Sequence, residues 1–380
     1  MKPLEGLLVL DFAQFLAGPW AATRLADLGA RVIKIERPRT GDIGRQLYIS
    51  NLALDGDSTL FHSINRNKQS YAADLKNPAD LAQVKRLVAR ADVLIQNFRP
   101  GVMERLGLGP ADCATLNPRL VYGVVTGYGT SGPWVDKPGQ DLLAQALSGL
   151  VHLNGNAGEP PLPFGLSVAD LTASAHLVQG ILAALVRRGT TGRGGLVEVS
   201  LLESVLDLQF EVTTTFLNDG GHEPQRSAVN NAHAYLGAPY GVYATADGHL
   251  ALAMGSVVRL GELLGLPALA AFNNPATWFS RRDEIKQLLV DHLRTQPTRH
   301  WLDRLEPADY WCAEVLSWPR LWATDAFRAL DFVQEVTRDD GPTLRTTRCP
   351  ITIDGVHFTS SRGAPRVGQH TAQLQTEFNL

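Results

Sequence analysis

The chain has 380 residues, enough for two domains and a sizeable core, and a net charge of −3. That balance gives no electrostatic case for nucleic acid or an anionic membrane as partner. Three separated cysteines, Cys113, Cys312 and Cys349, form neither a metal spacing nor a disulfide framework, which fits a reducing cytoplasm.

The opening Met-Lys-Pro-Leu-Glu-Gly carries no signal-peptide pattern, and the apolar stretches read as too short or too interrupted to span a bilayer. The apolar run 7–12 predicts a buried strand, 21–29 a helix and 31–36 a second strand, together one βαβ unit. The pattern returns with a strand at 71–75, a helix at 78–91 with proline in its first turn, and strands at 93–97 and 120–126. Such alternation predicts an α/β fold, a Rossmann-like domain of mostly parallel sheet covered on both faces. The loop after the first strand, Ala-Gln-Phe-Leu-Ala-Gly-Pro, lacks G-x-G-x-x-G, and no P-loop sequence occurs, so a dinucleotide oxidoreductase does not fit. Cations recur just past predicted strand ends at Arg37, Lys76 and Arg99, with Arg105 and Lys137 in later loops. Ligands of open α/β sheets bind at that rim, and several cations there suit a ligand with several phosphates. Ordinary loops also carry Lys and Arg, and the residues alone leave both readings open.

The stretch 165–188 organises the chain. Leu171, Ala175, Val178, Leu182 and Leu185 recur at helical spacing and predict a buried helix over 170–188, with Ser167 and Asp170 at its start. Small residues, among them Ala173, Ser174, Gly180 and Ala184, let a backbone or a ligand come close. A carboxylate at a helix N-terminus meets unpaired N–H groups, which would keep Asp170 ionised, as a carboxylate nucleophile must be. Helix capping accounts for the same residue, and on this stretch alone it is the favoured reading. His176, six residues along, reads as a packed structural histidine. Beyond it come a strand at 196–200, a helix at 201–217 and a polar linker at 218–226. A hairpin around Ala246-Asp247-Gly248 and helices at 258–264, 282–294 and 299–305 predict a smaller α+β domain. The density of Trp311, Trp318 and Trp322 reads as core or interface. A second hairpin signal surrounds Asp354-Gly355.

The order of short motifs carries more. Pro3-Leu4-Glu5-Gly6, Val9-Leu10-Asp11, Ala17-Gly18-Pro19, Leu25-Ala26-Asp27-Leu28-Gly29-Ala30, Val32-Ile33-Lys34-Ile35-Glu36 and Gly41-Asp42 are followed by Asn67-Lys68 and Asp74-Leu75-Lys76. Then come Asp92-Val93, Gln96-Asn97-Phe98-Arg99-Pro100-Gly101, the run 167–185 and Thr191-Gly192-Arg193-Gly194. This series resembles the family III CoA-transferases, the superfamily of formyl-CoA transferase, the carnitine and bile-acid CoA-transferases and α-methylacyl-CoA racemase. The likeness is dense to about residue 205 and thin over 255–345.

The resemblance implies a large Rossmann-like domain at 1–215, a small domain at 225–318, a C-terminal part at 319–380 returning to the large one, and two chains interlocked as a homodimer. It implies a cytoplasmic enzyme of the EC 2.8.3 type that moves CoA from an acyl-CoA donor to a carboxylic acid. CoA would be substrate, with no permanently bound cofactor and no metal. Asp170 matches the family's catalytic aspartate. Arg37, Lys76, Asn97, Phe98, Arg105 and Lys137 match positions that hold CoA. Leu16, Ala17 and Gly18 match the loop beside the thioester, and Asp141 an acidic position near the catalytic aspartate. Backbone N–H groups at Gly18 and Gly165 are candidate oxyanion donors.

Racemases of the superfamily need two bases, and where they carry Gly-His-Asp this chain has Gly139-Gln140-Asp141. Gln140 has no titratable group, which favours transferase over racemase; a non-catalytic CoA-binding subunit is the third reading. Leu16 stands where formyl-CoA transferase has glutamine, and Gln140 where it has tyrosine. Met254-Gly255-Ser256 replaces its glycine run, and Gln369 replaces a frequent glutamate in the tail. These departures point away from formyl or oxalate and toward a larger acyl group.

Overall fold

The computed structural model describes residues 2–47 and 51–380. Met1 and residues 48–50, which fall within the expected large domain, lie outside the described residues. The chain divides into two compact units. The first comprises Met1–Ala144, Ser167–Val205 and Ala329–Leu380; the second comprises Gln145–Leu166 and Leu206–Arg328. The expected small domain at 225–318 lies inside the second unit, which also takes in 145–166, 206–224 and 319–328.

The first unit is built on six parallel strands: β1 (Leu8–Asp11), β2 (Arg31–Glu36), β3 (Lys68–Ala72), β4 (Val93–Gln96), β5 (Val121–Thr126) and β6 (Gly195–Ser200). Their spatial order is β3-β2-β1-β4-β5-β6, the doubly wound arrangement in which the order reverses beside the first strand. Leu8, Leu10, Ile33, Ile35, Leu94, Tyr122 and Val124 form one buried core with Val84, Leu87 and Val88 of the helix Pro78–Val88. The C-terminal helix Thr371–Phe378 adds Leu374 and Phe378 to that core. It is held to β3 by the Thr371 hydroxyl, which accepts from the Ala72 N–H at 2.9 Å, and by the Ser70 hydroxyl, which accepts from the Gly368 N–H at 2.8 Å.

β3 lies three residues earlier than the sequence suggests. Lys68, Gln69 and Ser70 read as polar, yet all three are buried; Lys68 and Ser70 have the buried carboxylates of Asp11 and Glu36 as partners, and Gln69 accepts from Arg31. The expected helix over 201–217 is two helices, Leu201–Leu208 and Phe210–Asn218, interrupted at Gln209.

Two helices carry the centre of the unit. Helix α1 (Ala17–Asp27) follows β1, and the 24-residue helix α3 (Val168–Thr191) follows a short helix α2 (Asp141–Leu147). Against expectation, α3 is long and apolar enough to cross a membrane by length and composition alone. Here one face of it packs into the first unit, while Leu171 and Val186 on the other are exposed. Ala169, Ala173, Leu177, Ile181 and Ala184 are buried, and glycines admit it at close range. A side chain at Gly123 of β5 would press within 3.2 Å of Leu177 and Ile181, and one at Gly180 would meet Val197 at 2.5 Å.

The second unit holds an antiparallel sheet in the spatial order Cys312–Glu314, His249–Leu252, Gly241–Ala244. Helices Val257–Leu264, Arg282–Leu293 and Thr298–Leu305 pack a core of Leu260, Ile285, Leu289, Trp301 and Leu305 with it. Trp318 and Trp322 are not core: they stack on each other with ring centroids 5.1 Å apart and are 73% and 40% exposed, and Trp311 is 60% exposed. Trp318 and Trp322 sit on one short helix, Trp318–Ala323, none of whose residues is buried.

One buried ion pair fixes α1 to the chain before β3. Arg66 and Asp27 are both fully buried and form two charge-assisted bonds, with Arg24 also 3.1 Å from Asp27. Removing one partner leaves a buried charge unmatched, which costs about 3–5 kcal/mol. Arg66→Met is expected to lower stability by an amount toward the low end of that range, since Arg24 still reaches Asp27; urea unfolding measures it.

Candidate active site

The strand ends build a cavity in the first unit. It has a volume of about 400 Å³ and is lined by Phe12 and Gln14 after β1, Ile35, Glu36 and Arg37 at the end of β2, and 73–76 after β3. Phe98, Val102, Arg105 and Leu106 close it. The floor is apolar, and Arg37, Lys76 and Arg105 are exposed at its rim. Among the described residues none of these three cations pairs with a carboxylate. Glu36, the one buried acid on the wall, is committed to Arg45 at 2.7 Å and to the Ser70 hydroxyl at 2.6 Å, so its charge is neutralised inside the protein. An apolar slot with unpaired guanidinium and ammonium groups at its mouth suits a planar ring system carrying phosphates.

Of the six residues expected to hold CoA, the cavity collects Arg37, Lys76, Phe98 and Arg105. Asn97 is elsewhere occupied: its side-chain oxygen accepts from the Gln14 N–H at 2.8 Å, and its amide donates to the Gln14 carbonyl at 2.7 Å. It clamps the loop after β1 to the end of β4. Lys137 is exposed on the loop between β5 and α2, with its ammonium 4.9 Å from the ring centre of Trp134. That loop closes on itself. Trp134 packs edge-on against Tyr128, the Tyr128 hydroxyl donates to the Pro138 carbonyl at 3.1 Å, and a side chain on Gly127 would come within 2.6 Å of the Gly139 backbone. Arg99 is exposed and does not line the cavity, while Phe12, Gln14, Ile35, Val102 and Leu106 do. Only the strand-end positions of Phe12, Gln14 and Ile35 could have signalled this.

Asp170 occupies the first turn of α3, partly buried. The expected cap is not what forms. Ser167 makes no side-chain capping bond, and the carboxylate that caps α3 is Asp141, which accepts from the Ala169 N–H at 2.7 Å and the Asp170 N–H at 3.3 Å. The favourable end of the helix dipole therefore serves Asp141. Asp170 meets burial and the Asp141 charge, and both disfavour its ionised form, raising its carboxyl to about 7. This corrects the reading that the helix start keeps Asp170 ionised at low pH.

Ala17 and Gly18 are brought to the same helix. The Ser174 hydroxyl, one turn after Asp170, bonds to the Ala17 carbonyl at 2.6 Å and to the Asp170 carbonyl at 2.8 Å. A side chain at Gly18 would lie 2.2 Å from the Ala13 side chain, so the chain doubles back here only with glycine. Leu16 is partly buried beside them, and Gln140, exposed, accepts the Leu142 N–H at 3.0 Å. Gly165 falls in the second unit. His176 bonds through Nδ1 to the Ser204 hydroxyl at 3.1 Å.

The comparisons agree across the chain. The family described as CoA-transferase family III matches residues 4–371. Succinate–glutarate CoA-transferase of Agrobacterium fabrum is 33% identical over 99% of this chain and 95% of its own length. Acetyl-CoA:oxalate CoA-transferase of Acetobacter aceti is 34% identical over 99% and 96%. The crystal structure of a CaiB/BaiF family protein from Brucella suis superposes with a TM-score of 0.85 at 30% identity, covering 99% of each chain.

The raised carboxyl of Asp170 has a stability consequence. Below about pH 4 the group is protonated in both folded and unfolded chains and contributes nothing. As pH rises from 4 to 7 the unfolded chain releases the proton while the folded chain keeps it, so stability falls, and above 7 the full penalty stands, at most about 4 kcal/mol. Asp170→Asn is therefore expected to melt above the wild type at pH 8, with the difference vanishing below pH 4; thermal denaturation at the two pH values reads it.

Proposed function

This chain belongs to CoA-transferase family III, and from that premise we propose that it transfers CoA between carboxylic acids through covalent intermediates on Asp170. The observation that carries the reading is that Ser174 ties the backbone of Asp170, a partly buried acid at the start of α3, to the backbone of Ala17 at the start of α1, beside Gly18. The phosphate-suited cavity at the strand ends of the same unit supports it.

The Asp170 carboxylate attacks the thioester carbonyl, and CoA leaves as the thiolate, giving a mixed anhydride of the acyl group and Asp170. The thiolate then attacks the Asp170 carbonyl and releases the donor acid, leaving an aspartyl-CoA thioester. The acceptor carboxylate attacks that thioester, expels the thiolate and forms a second anhydride. Attack of the thiolate on the acceptor's acyl carbon gives the new acyl-CoA and regenerates Asp170. Donor, acceptor and enzyme are all carboxylates, so the successive CoA thioesters are similar in energy, and the anhydrides are the high-energy intermediates between them. A carboxylate whose proton affinity is raised is also the better nucleophile once ionised. The Gly18 N–H is the candidate oxyanion donor. Arg37, Lys76 and Arg105 would take the CoA phosphates, and Phe98 the adenine face. Gln140 brings no second base to the site, which favours transfer over α-proton exchange. Leu16 makes the acyl side apolar and suits an acyl group larger than formyl.

A second copy fits the exposed apolar residues Val186 and Leu196 of the first unit and Phe210 and Leu217 of the second. A homodimer is the proposed assembly, and a reducing cytoplasm the matching location for three free cysteines.

Acid quenching after exposure to succinyl-CoA or acetyl-CoA is expected to leave a CoA-sized, hydroxylamine-sensitive mass increment on the peptide bearing Asp170. Asp170→Ala should retain CoA binding and lose transfer by at least about a thousandfold; wild-type turnover in that variant would sink the mechanism. In the wild type, kcat/KM should rise with pH through a midpoint near 7, where Asp170 becomes ionised. Arg105→Ala should weaken CoA binding about tenfold in calorimetry, with the loss shrinking at high salt.

A further inference from the structure

Two lysines are buried without exposure beneath the loop that carries Leu16, Ala17 and Gly18. Lys34 lies on β2 and Lys68 on β3, and both reach Asp11, the last residue of β1. The register puts them on one face: Asp11 pairs with Lys34 across β1 and β2, Lys34 pairs with Ser70, and Lys68 stands two residues before Ser70 on the same strand. Placing ammonium groups inside a sheet is costly, and hydrophobic residues of similar volume would stabilise the core as well or better. What the lysines hold is therefore informative.

They hold the loop at both ends. Lys34 donates to the Ala13 carbonyl at 2.7 Å, and Lys68 to the Pro19 carbonyl at 2.8 Å. Lys34 also pairs with Asp42 at 2.8 Å, and Asp42 accepts from the Phe15 N–H at 3.3 Å. Asp11 accepts from the Ala13 N–H at 3.0 Å, and Lys68 is completed by Asn65 at 2.9 Å. Phe15 has a φ of 62°, a conformation a bulky side chain adopts only when its surroundings impose it. Asp11 and Asp42 balance Lys34 and Lys68, so the group is neutral as a whole.

We propose that Lys34 and Lys68 are positioning residues for CoA transfer: through the Ala13 and Pro19 carbonyls they fix the loop after β1 and the first turn of α1, and with them the Gly18 N–H, at the distance from Asp170 that the reaction needs. The inference rests on the proposed role of Asp170 and deepens it. It distinguishes these lysines from Arg37, Lys76 and Arg105, which line the cavity and would set CoA affinity.

The pair is not symmetric toward protons. Burial and the Lys34 charge lower Lys68 to about 8, against the pull of Asp11 and Asp42, while Lys34 is held above its ordinary value by Asp11, Asp42 and Glu36. Those are the charged groups that face Lys68 from β1, β2 and the turn at Asp42; α1 presents the Pro19 carbonyl and the chain before β3 presents Asn65. The wild type should therefore lose kcat on the alkaline side of about pH 8, as Lys68 gives up the charge that grips Pro19.

The test is the double variant Asp11→Asn, Lys68→Met, which removes one charge of each sign, keeps the group neutral and takes the donor from the Pro19 carbonyl, beside Lys34→Met. The expected result is a fall in kcat of about 10- to 100-fold, a change in the dissociation constant for free CoA of less than about threefold, and loss of the alkaline limb in the double variant. Hydrogen exchange at the Phe15–Gly18 amides should quicken in the CoA-free protein. A double variant that melts lower but keeps wild-type kcat, pH profile and loop exchange would overturn the inference. If the wild type forms no Asp170 adduct, the transfer mechanism fails, and the exchange rates alone then decide whether the lysines hold the loop.

Discussion

The carboxylate of Asp141 at the start of α3 is the contact on which the centre of the first unit turns. Helix starts offer a few unpaired N–H groups and a positive field, and two acidic side chains compete for them here. Asp141 takes the N–H groups of Ala169 and Asp170. Asp170 is left with burial and a like charge, and its carboxyl rises to about 7. A single cap thus orders the helix and withholds its N–H groups from the neighbouring acid, and the folded state carries the cost of burying that acid beside a like charge.

The rest of the unit keeps this helix end in register with its surroundings. Gly123 and Gly180 let α3 sink onto β5 and β6, and Ser174 ties it to α1 at Ala17. Below α1, the buried group of Asp11, Lys34, Asp42 and Lys68 secures the loop leading into that helix. Charges inside the sheet replace the glycine-rich turn that dinucleotide-binding relatives of this topology use at the same strand end. The cavity opens at the ends of β1, β2 and β3, where among the described residues Arg37, Lys76 and Arg105 pair with no carboxylate.

Much of the architecture was legible because it follows local rules. Apolar runs gave β1, β2, β4 and β5 within two residues, and the helical period of Leu171 to Leu185 gave α3. The errors have physical sources. β3 was misplaced because Lys68 and Ser70 are buried through ion pairing, and patterns of hydrophobicity do not see a buried charge that has a buried partner. The cap of α3 was assigned to its own residues, whereas the acceptor comes from Asp141, about thirty positions away in sequence. The grouping of Asn97 and Lys137 with Arg37, Lys76, Phe98 and Arg105 rests on resemblance and is no such error; the folded chain adds that four of the six line the cavity, Asn97 bonds the Gln14 backbone beside it and Lys137 is exposed. Asp170 itself was legible as a position, but its proton affinity was not, because that depends on what else competes for the helix end.

The close approach of Gly127 and Gly139 has a practical meaning for anyone engineering this scaffold. The two glycines pinch the chain into a ring whose stems nearly touch, and the intervening residues 128–138 pack mainly on one another through Tyr128, Trp134 and Lys137. Such a ring is mechanically insulated from its base. Its tip can be lengthened, tagged or replaced by a reporter while the stems stay closed, whereas a single methyl group at either glycine would wedge them apart and drag on Asp141, two residues downstream of Gly139. The tip of the loop suits insertion, and its glycine hinge leaves no room for a side chain.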